Sequence, residues 1–183
     1  MQKKNSVSIN DKIEKFDKNI TVESDKSISH RSLLIASQCI GLSNINNVLE
    51  SDDIRNTIIC LKKLGVKILK KNRKYIVYGN GLGSFKKPKN NFLYAGNSGT
   101  LARMLFPLLG TQSNIKVKIA GDNSLNKRDM KRIIEPLSKI GCTFYPKGKT
   151  TLPLIIEGTS MPLAQRHNET IGSAQVKSTI LLA

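Results

Sequence analysis

The stretch ESDKSISHRSLL, residues 23–34, gathers side chains that could bind a negatively charged molecule. Lys26, Ser27, His30 and Arg31 stand at the start of an apolar run with helical spacing. The first N–H groups of a helix have no partners inside the helix, and the helix dipole makes that end partly positive. We therefore expect this helix end to form one wall of a site for a small anion.

The stretches GNSGTLAR (96–103) and GSAQVK (172–177) share this construction. Each has small or hydroxyl residues where the chain enters a predicted helix, followed by a cation within one turn. Small residues let an anion approach the backbone, and Arg or Lys adds a charged hydrogen bond. Taken singly, each stretch is also explained by helix capping or by a tight turn. Its occurrence three times favours a site for a multiply charged small anion.

The elements that carry these stretches are predicted to occur twice in the same order. The first copy has predicted strands at 19–24, 42–49, 66–71 and 74–79 and helices at 26–38 and 51–64. The second has a strand that starts at 91, strands at 115–121, 142–148 and 152–158, and helices at 100–109 and 128–140. Corresponding glycines, such as Gly79 and Gly158, lie 69 to 79 residues apart. The pattern predicts an α/β (α+β) fold of β-α-β-α-β-β units at about 21–85 and 90–160.

A third copy is predicted to begin near Pro162, where TIGSAQVKSTILLA (170–183) has the pattern of its first helix. The sequence ends inside this apolar helix without a capping residue. We therefore expect the chain to be a fragment of a longer protein.

The charge of the chain favours anionic partners. Thirty Lys and Arg against thirteen Asp and Glu give a net charge of +17 in 183 residues. A nucleic-acid-binding module is therefore an alternative. However, no zinc-ligand spacing or aromatic RNA-binding motif is visible, aromatic residues are 5%, and Trp is absent. Charge alone leaves small anionic substrates and nucleic acid as equal alternatives.

Cellular location and redox state are constrained by the apolar and cysteine patterns. No apolar stretch approaches the roughly 18 residues of a membrane span, and the N-terminus lacks the apolar segment of a secretory signal. Cys39, Cys60 and Cys142 are far apart, which predicts reduced, partly buried thiols in a cytoplasmic protein. His30 and His167 have no metal-ligand companions, so we expect surface or supporting roles and no metal site.

Four motifs together resemble the consecutive signatures of the 5-enolpyruvylshikimate-3-phosphate synthase family, the 3-phosphoshikimate 1-carboxyvinyltransferases. They are SDKSISHRSLLIA, AGNSGTLARML, GDNSLNKRDMKRIIEPL and GSAQVKSTILLA, in order from about Thr21 to the last residue. The sister UDP-N-acetylglucosamine enolpyruvyl transferases are the alternative. They are expected to have Lys-Asn in place of Lys26-Ser27 and a reactive cysteine near Ser124 to Met130, and neither is present.

The resemblance implies an inside-out α/β barrel-like fold of two domains, each with three copies of the repeated unit. Residues 1–20 would be the first segment of the domain that the C-terminal half completes. Residues 21–183 would be the substrate-binding domain, with two complete units and the start of a third. Family members are more than twice this length, so the expected acid and base would lie in the absent half and the chain alone would be inactive.

The implied reaction transfers the enolpyruvyl group of phosphoenolpyruvate to the 5-hydroxyl of shikimate 3-phosphate and releases phosphate, in aromatic amino-acid biosynthesis. It proceeds by addition and elimination through a tetrahedral ketal, without a cofactor. The resemblance implies glyphosate as a competitor, a monomeric full-length enzyme, and no specific nucleic-acid or membrane partner.

The first two motifs imply five site residues. Lys26 would contact phosphoenolpyruvate and take part in proton transfer, as the catalytic residue of this chain. Ser27 and Arg31 would hold shikimate 3-phosphate, and the planar guanidinium of Arg31 suits its carboxylate. Asn97 would belong to the substrate-binding set, and Gly99 would line the phosphoenolpyruvate pocket, where a side chain would crowd the ligand.

The last two motifs imply the remaining site residues. Arg128 would bind phosphoenolpyruvate. Ser173 would contact the phosphate of shikimate 3-phosphate, and Gln175 would lie against the shikimate ring and touch phosphoenolpyruvate. Ala174 stands where many family members have a second serine, but its backbone N–H can still donate, and Lys177 would add charge.

Overall fold

The structure, a computed structural model, describes residues 8, 10, 15, 17, 19–20, 22–72, 74–168 and 172–183. The helices are α1 (Lys26–Gln38), α2 (Asp52–Lys63), α3 (Gly99–Gly110), α4 (Lys131–Ile140) and α5 (Ala174–Leu182). The strands are β1 (Ile40–Asn46), β2 (Lys67–Lys71), β3 (Lys74–Asn80), β4 (Phe92–Tyr94), β5 (Lys116–Ala120), β6 (Thr143–Tyr145) and β7 (Leu154–Glu157). The helices and strands confirm a mixed α/β fold.

The strands form two sheets that repeat the same pattern. The first sheet has the order β1-β3-β2, and all its pairs are antiparallel. The second has the order β4-β5-β7-β6, in which β5, β7 and β6 repeat the antiparallel arrangement of β1, β3 and β2. Strand β4 adds a parallel pair with β5. The hairpins predicted at 66–79 and 142–158 are therefore equivalent parts of two repeated units.

The predicted strand at 19–24 is wrong for the residues that the structure describes in this range. Residues 19, 20 and 22–24 have no strand assignment. Ile20 and Val22 are 73% and 72% exposed, so their apolar side chains have no buried surface to pack against. The rest of the predicted segment at 1–20 lies mostly outside the described residues.

Two further boundaries differ from the prediction, one because of a local hydrogen bond and one because of a positive φ angle. The helix predicted at 128–140 begins at Lys131, and a short 3-10 turn at Leu125–Lys127 precedes it. Arg128 is extended, with φ −76° and ψ 134°. The Asp129 carboxylate accepts a hydrogen bond from the Lys131 N–H at 2.9 Å and so replaces helical pairing there. Strand β1 ends at Asn46 instead of Leu49 because Asn47 has a positive φ of 54°.

Helix α3 lies at the centre of the packing. Every residue of α3 except Arg103 is buried, and the helix contacts α1, α2, α4, α5 and β7. A helix that is apolar on all sides is stable only inside a core. The edge-to-face contact between Phe106 and Phe144, with ring centroids 5.5 Å apart, joins α3 to the second sheet. The position of α3 therefore depends on both repeated units.

The cysteine prediction is confirmed in part. Cys60 and Cys142 are buried and Cys39 is exposed, and all three are free thiols. Burial raises the pKa of Cys60 to about 12 and that of Cys142 to about 11, so both stay protonated at neutral pH.

None of the helices among the described residues has the length and apolar character needed to cross a bilayer.

Gly79 and Gly158 occupy equivalent positions in the two units. A Cβ atom on Gly79 would overlap the carbonyl oxygens of Ala36 and Cys39 at the end of α1. A Cβ atom on Gly158 would overlap the backbone in the same way at the end of α3. Each hairpin can therefore approach its helix end only because this residue has no side chain.

Replacing Gly158 with Ala should therefore lower the free energy of unfolding by about 2 kcal/mol or more, because backbone carbonyls cannot yield as a flexible side chain does. Urea denaturation monitored by circular dichroism measures the loss. Gly172→Ala is the matched control, because its Cβ meets nothing within 4 Å. Equal stability of the two variants would show that the overlap at residue 158 has no structural consequence.

Candidate anion-binding site

The three helix N-termini singled out in the sequence are connected by side-chain contacts. His30 of α1 lies 3.3 Å from the Ser98 hydroxyl, which caps α3, measured from Nε2 to Oγ. The Gln175 Nε2 of α5 donates to the Thr100 Oγ1 of α3 at 3.0 Å. The structure therefore brings the starts of α1, α3 and α5 to one region of the molecule.

Arg31 joins α1 to α5. Its Nη2 donates to the Ser178 hydroxyl at 2.8 Å, and its Nη1 donates to the Ser27 carbonyl oxygen at 3.1 Å. This pair of contacts holds the guanidinium between the two helices, next to the exposed first turn of α1. A planar cation held in this way can form paired hydrogen bonds to a carboxylate or phosphate.

The starts of α3 and α5 lack the acidic residues that usually compensate a helix dipole. Ser98 and Ser173 cap these helices, and neither first turn has an acid. By contrast, α2 begins with Asp52 and Asp53 and ends with lysines, which complement its dipole. The positive ends of α3 and α5 are therefore left for an anion from outside the chain.

Gly99 lies beneath two arginines. A Cβ atom on Gly99 would be 3.0 Å from the Arg103 Nη1 and 3.1 Å from the Arg128 Nη1. Arg128 donates through Nη2 to the Asn97 Oδ1 at 2.6 Å, and the Asn97 Nδ2 donates to the Asp122 carboxylate at 2.6 Å. Arg128 therefore reaches the start of α3 from the 121–130 loop, although it does not belong to a helix.

The pKa of Asp122 is lowered, first by the hydrogen bond from the Leu125 N–H and further by Asn97 and Arg128. Asp122 therefore stays ionised and keeps the Asn97 amide oriented with its oxygen toward Arg128. This order of partners leaves the other guanidinium N–H groups of Arg128 available to a ligand.

Arg103 is a further cation at this position, and it was not among the site residues expected from the sequence. Its Nη1 donates to the Gln175 Oε1 at 2.6 Å, and its Nη2 donates to the Asp129 carbonyl oxygen at 3.4 Å. Burial lowers its pKa, and the neighbouring charges of Arg128 and Arg132 lower it further. The signal was present in the sequence as the cation one turn into the GNSGTLAR stretch.

Lys26 and Ser27 are exposed at the first two positions of α1. The Lys26 Nζ lies 3.2 Å from the Asp53 carboxylate of α2, in a pair that is half exposed on the lysine side. An exposed pair of this kind contributes at most about 1 kcal/mol, so a ligand can compete for the ammonium. Ala174 is exposed at the start of α5, where its backbone N–H has no partner within the helix.

His30 has a supporting position, but the expected surface alternative is wrong. Its side chain is fully buried, its Nδ1 lies 2.7 Å from the Thr57 Oγ1, and its Nε2 faces Ser98. Burial lowers the pKa of His30 to about 4; Asp53 acts in the opposite direction, and Lys26 and Arg31 lower it further. The imidazole is therefore neutral at pH 7.

The described part of the chain contains no group of three or more His, Cys, Asp or Glu side chains arranged to hold a metal ion. The donors that do converge are amides, hydroxyls, guanidinium groups and helix N-termini. This chemistry is that of a site for phosphate and carboxylate groups.

These features define an α/β protein of repeated units in which helix N-termini and arginines converge. The family model for EPSP synthase (3-phosphoshikimate 1-carboxyvinyltransferase) matches residues 10–183, so the chain belongs to the EPSP synthase family. This confirms the resemblance seen in the four motifs.

Named relatives and solved structures agree with this assignment. The chain is 43% identical over 159 residues to a 3-phosphoshikimate 1-carboxyvinyltransferase of Oenococcus oeni, covering 87% of this chain and 36% of the relative. It is 38% identical over 176 residues to one of Syntrophomonas wolfei, covering 96% and 40%. A structure of EPSP synthase from Acinetobacter baumannii superposes with a TM-score of 0.83 at 36% identity, covering 89% of this chain and 37% of that one. The structural match confirms the expected fold, and the chain spans about two fifths of the length of these relatives.

The buried His30 predicts a specific loss of stability in acid. The unfolded chain binds a proton at His30 near pH 6.5, whereas the folded chain does so only near pH 4. The contribution of the neutral His30 side chain to the free energy of unfolding is therefore complete above pH 6.5. It falls by about 3 kcal/mol as the pH decreases to 4. Urea denaturation of the wild type and of His30→Gln across this range should show a steeper pH dependence for the wild type.

His167→Gln is the matched control, because His167 is the other histidine and is exposed. If His30→Gln and the wild type lose stability in parallel between pH 6.5 and 4, the inference that His30 is buried in its neutral form is wrong.

Proposed function

We propose that this chain forms the substrate-binding part of a 3-phosphoshikimate 1-carboxyvinyltransferase and contacts both of its substrates. The observation that carries the proposal is the meeting of Gly99, Arg103, Arg128 and Gln175 where α3 and α5 begin. Membership of the EPSP synthase family supports the same assignment. The reaction moves the enolpyruvyl group of phosphoenolpyruvate to the 5-hydroxyl of shikimate 3-phosphate and releases phosphate. Both substrates carry a phosphate and a carboxylate, which are the groups that such a donor set prefers.

Shikimate 3-phosphate lies between α1 and α5 in this proposal. Ser27 and Arg31 bind it from α1, and Arg31 pairs with its carboxylate. Ser173 and the backbone N–H of Ala174 bind its phosphate, because they lie at the positive start of α5. Gln175 lies against the ring. The contact between Arg31 and Ser178, which already joins the two helices, supports this arrangement.

Phosphoenolpyruvate lies over the start of α3. The positive charges of Arg128 and Lys26 bind the negatively charged phosphate and carboxylate of phosphoenolpyruvate. Lys26 also takes part in proton transfer. Gly99 leaves the space that a side chain would fill, since a Cβ there would already meet two guanidinium groups. Asn97 holds Arg128 at 2.6 Å and so acts on the ligand through that arginine. The same pocket would accept glyphosate as a competitor, and we expect a monomeric enzyme.

Removing the guanidinium of Arg31 should weaken binding of shikimate 3-phosphate by about tenfold or more, since hydrogen bonds to charged groups contribute about 1.5–3 kcal/mol. Isothermal titration calorimetry of the 183-residue chain with millimolar ligand measures the affinity, and shikimate without its phosphate tests the phosphate contacts. Arg55→Leu is the matched control, because Arg55 is an exposed arginine of α2 that pairs with Asp52. An absence of binding by the wild type at millimolar shikimate 3-phosphate would count against the proposed function.

The 183-residue chain alone should give no measurable turnover. The relatives named 3-phosphoshikimate 1-carboxyvinyltransferase are more than twice as long as the segment that matches this chain. The assay is phosphate release from phosphoenolpyruvate and shikimate 3-phosphate, compared with Lys26→Ala. Phosphate release by the wild-type chain above the Lys26→Ala background would show that these residues are sufficient for catalysis.

A further inference from the structure

His30 lies in the middle of the site without facing the anion-binding surface. Its side chain is fully buried, as are the side chains of its partners Thr57 and Ser98, which are 0% and 1% exposed. The three residues come from α1, α2 and α3. A buried polar network of this kind is stable only if each donor and acceptor has a partner.

The hydrogen bonds around His30 fit a neutral ring, which has one N–H donor and one acceptor nitrogen. The Thr57 hydroxyl donates to the Asp53 carbonyl oxygen at 3.1 Å and lies 2.7 Å from the His30 Nδ1. The Ser98 hydroxyl accepts from the Leu101 N–H at 3.2 Å and lies 3.3 Å from the His30 Nε2. Each ring nitrogen therefore has one hydroxyl partner, whichever nitrogen carries the proton. Every group in the network is satisfied.

Ser98 stands between two residues next to Arg128. Asn97 precedes it and accepts from the Arg128 Nη2, and Gly99 follows it, where an added Cβ atom would be 3.1 Å from the Arg128 Nη1. The direction of both contacts depends on the turn that Ser98 forms as the cap of α3. Rotation of the Ser98 hydroxyl is fixed by the bond to His30.

We propose that His30 is a positioning residue, which fixes the turn of residues 97–99 through Ser98 and thereby holds Arg128 in place for an anionic ligand. It does not touch the ligand. Its second bond, to Thr57, ties the same ring to the turn of α2 that carries Asp53, the partner of Lys26. The same ring therefore contacts both the α2 helix, which carries the partner of Lys26, and the turn of residues 97–99, which contacts Arg128.

This geometry indicates which of the two substrates His30 should affect, an inference that rests on the function proposed above. A loosened turn at 97–99 displaces Arg128 but leaves Arg31 on its own contacts with Ser27 and Ser178. Loss of the His30 contact to Ser98 should therefore weaken binding of phosphoenolpyruvate by about tenfold, the loss expected for one hydrogen bond of about 1.4 kcal/mol. Binding of shikimate 3-phosphate should change less than twofold.

Two substitutions separate the two hydrogen bonds of the ring. The amide of His30→Gln can reach the position of Nε2 and keep a partner for Ser98, whereas the shorter amide of His30→Asn can reach only the position of Nδ1 and Thr57. Both remove the imidazole. A role limited to filling the core predicts that both variants behave alike, whereas positioning through Ser98 predicts that only His30→Asn disturbs the turn.

The first readout needs no ligand. Amide hydrogen exchange measured by NMR should be about tenfold faster at Leu101 in His30→Asn than in His30→Gln, relative to Val77 in the centre of β3 as an internal reference. Gln112→Leu is the control for a lost buried polar contact, because Gln112 bonds Phe85 at the other end of α3. It should leave Leu101 unchanged. Equal exchange at Leu101 in the two His30 variants would overturn the proposal.

The second readout is the affinity of each variant for phosphoenolpyruvate and for shikimate 3-phosphate, from NMR titration of the 183-residue chain. A selective loss for phosphoenolpyruvate in His30→Asn supports the proposal, and an equal loss for both ligands contradicts it. If the wild type binds neither ligand, the proposed function fails, and the exchange at Leu101 alone decides whether His30 fixes the turn.

Discussion

The site depends on the complete burial of α3 between α1 and α5. Because all of α3 except Arg103 is enclosed, its start cannot move without disturbing both repeated units. That start carries Ser98, Gly99 and Thr100, and each has a contact to another element of the site. A helix held on all sides by apolar packing is a rigid support, which is what an anion site needs if its donors are to be arranged before the ligand arrives.

The repeated unit explains why so few residues are needed to build this site. Each unit ends its hairpin in a glycine that allows the strand to approach the end of the helix, as Gly79 and Gly158 do. Repeating this contact places successive helices side by side with their N-termini on the same side. The site is then made from first turns, in which backbone N–H groups are already unpaired, and only a small number of side chains must be added.

Features with a local cause could be predicted from the sequence, and those with a distant cause could not. The caps of α1, α3 and α5 were readable because each depends on a residue within one turn of the helix. Arg128 was placed in a helix because the hydrogen bond from the Lys131 N–H to Asp129, which ends the extended segment, competes with an otherwise helical pattern. The burial of His30 depends on Thr57 and Ser98, which lie 27 and 68 residues away, and no local pattern contains this information.

The shared position of Arg103 and Arg128 has a consequence for the protein without substrate. Two guanidinium groups lie close to the same glycine, and Arg128 contributes to lowering the pKa of Arg103. A bound anion is their natural counter-ion, so its binding free energy adds to the stability of the folded chain by mass action. Inorganic phosphate should supply part of this stabilisation, and high ionic strength should screen the repulsion between the two guanidinium groups. A thermal melt in phosphate buffer therefore follows the protein with an anion next to these arginines, whereas a melt in dilute zwitterionic buffer follows the protein without one.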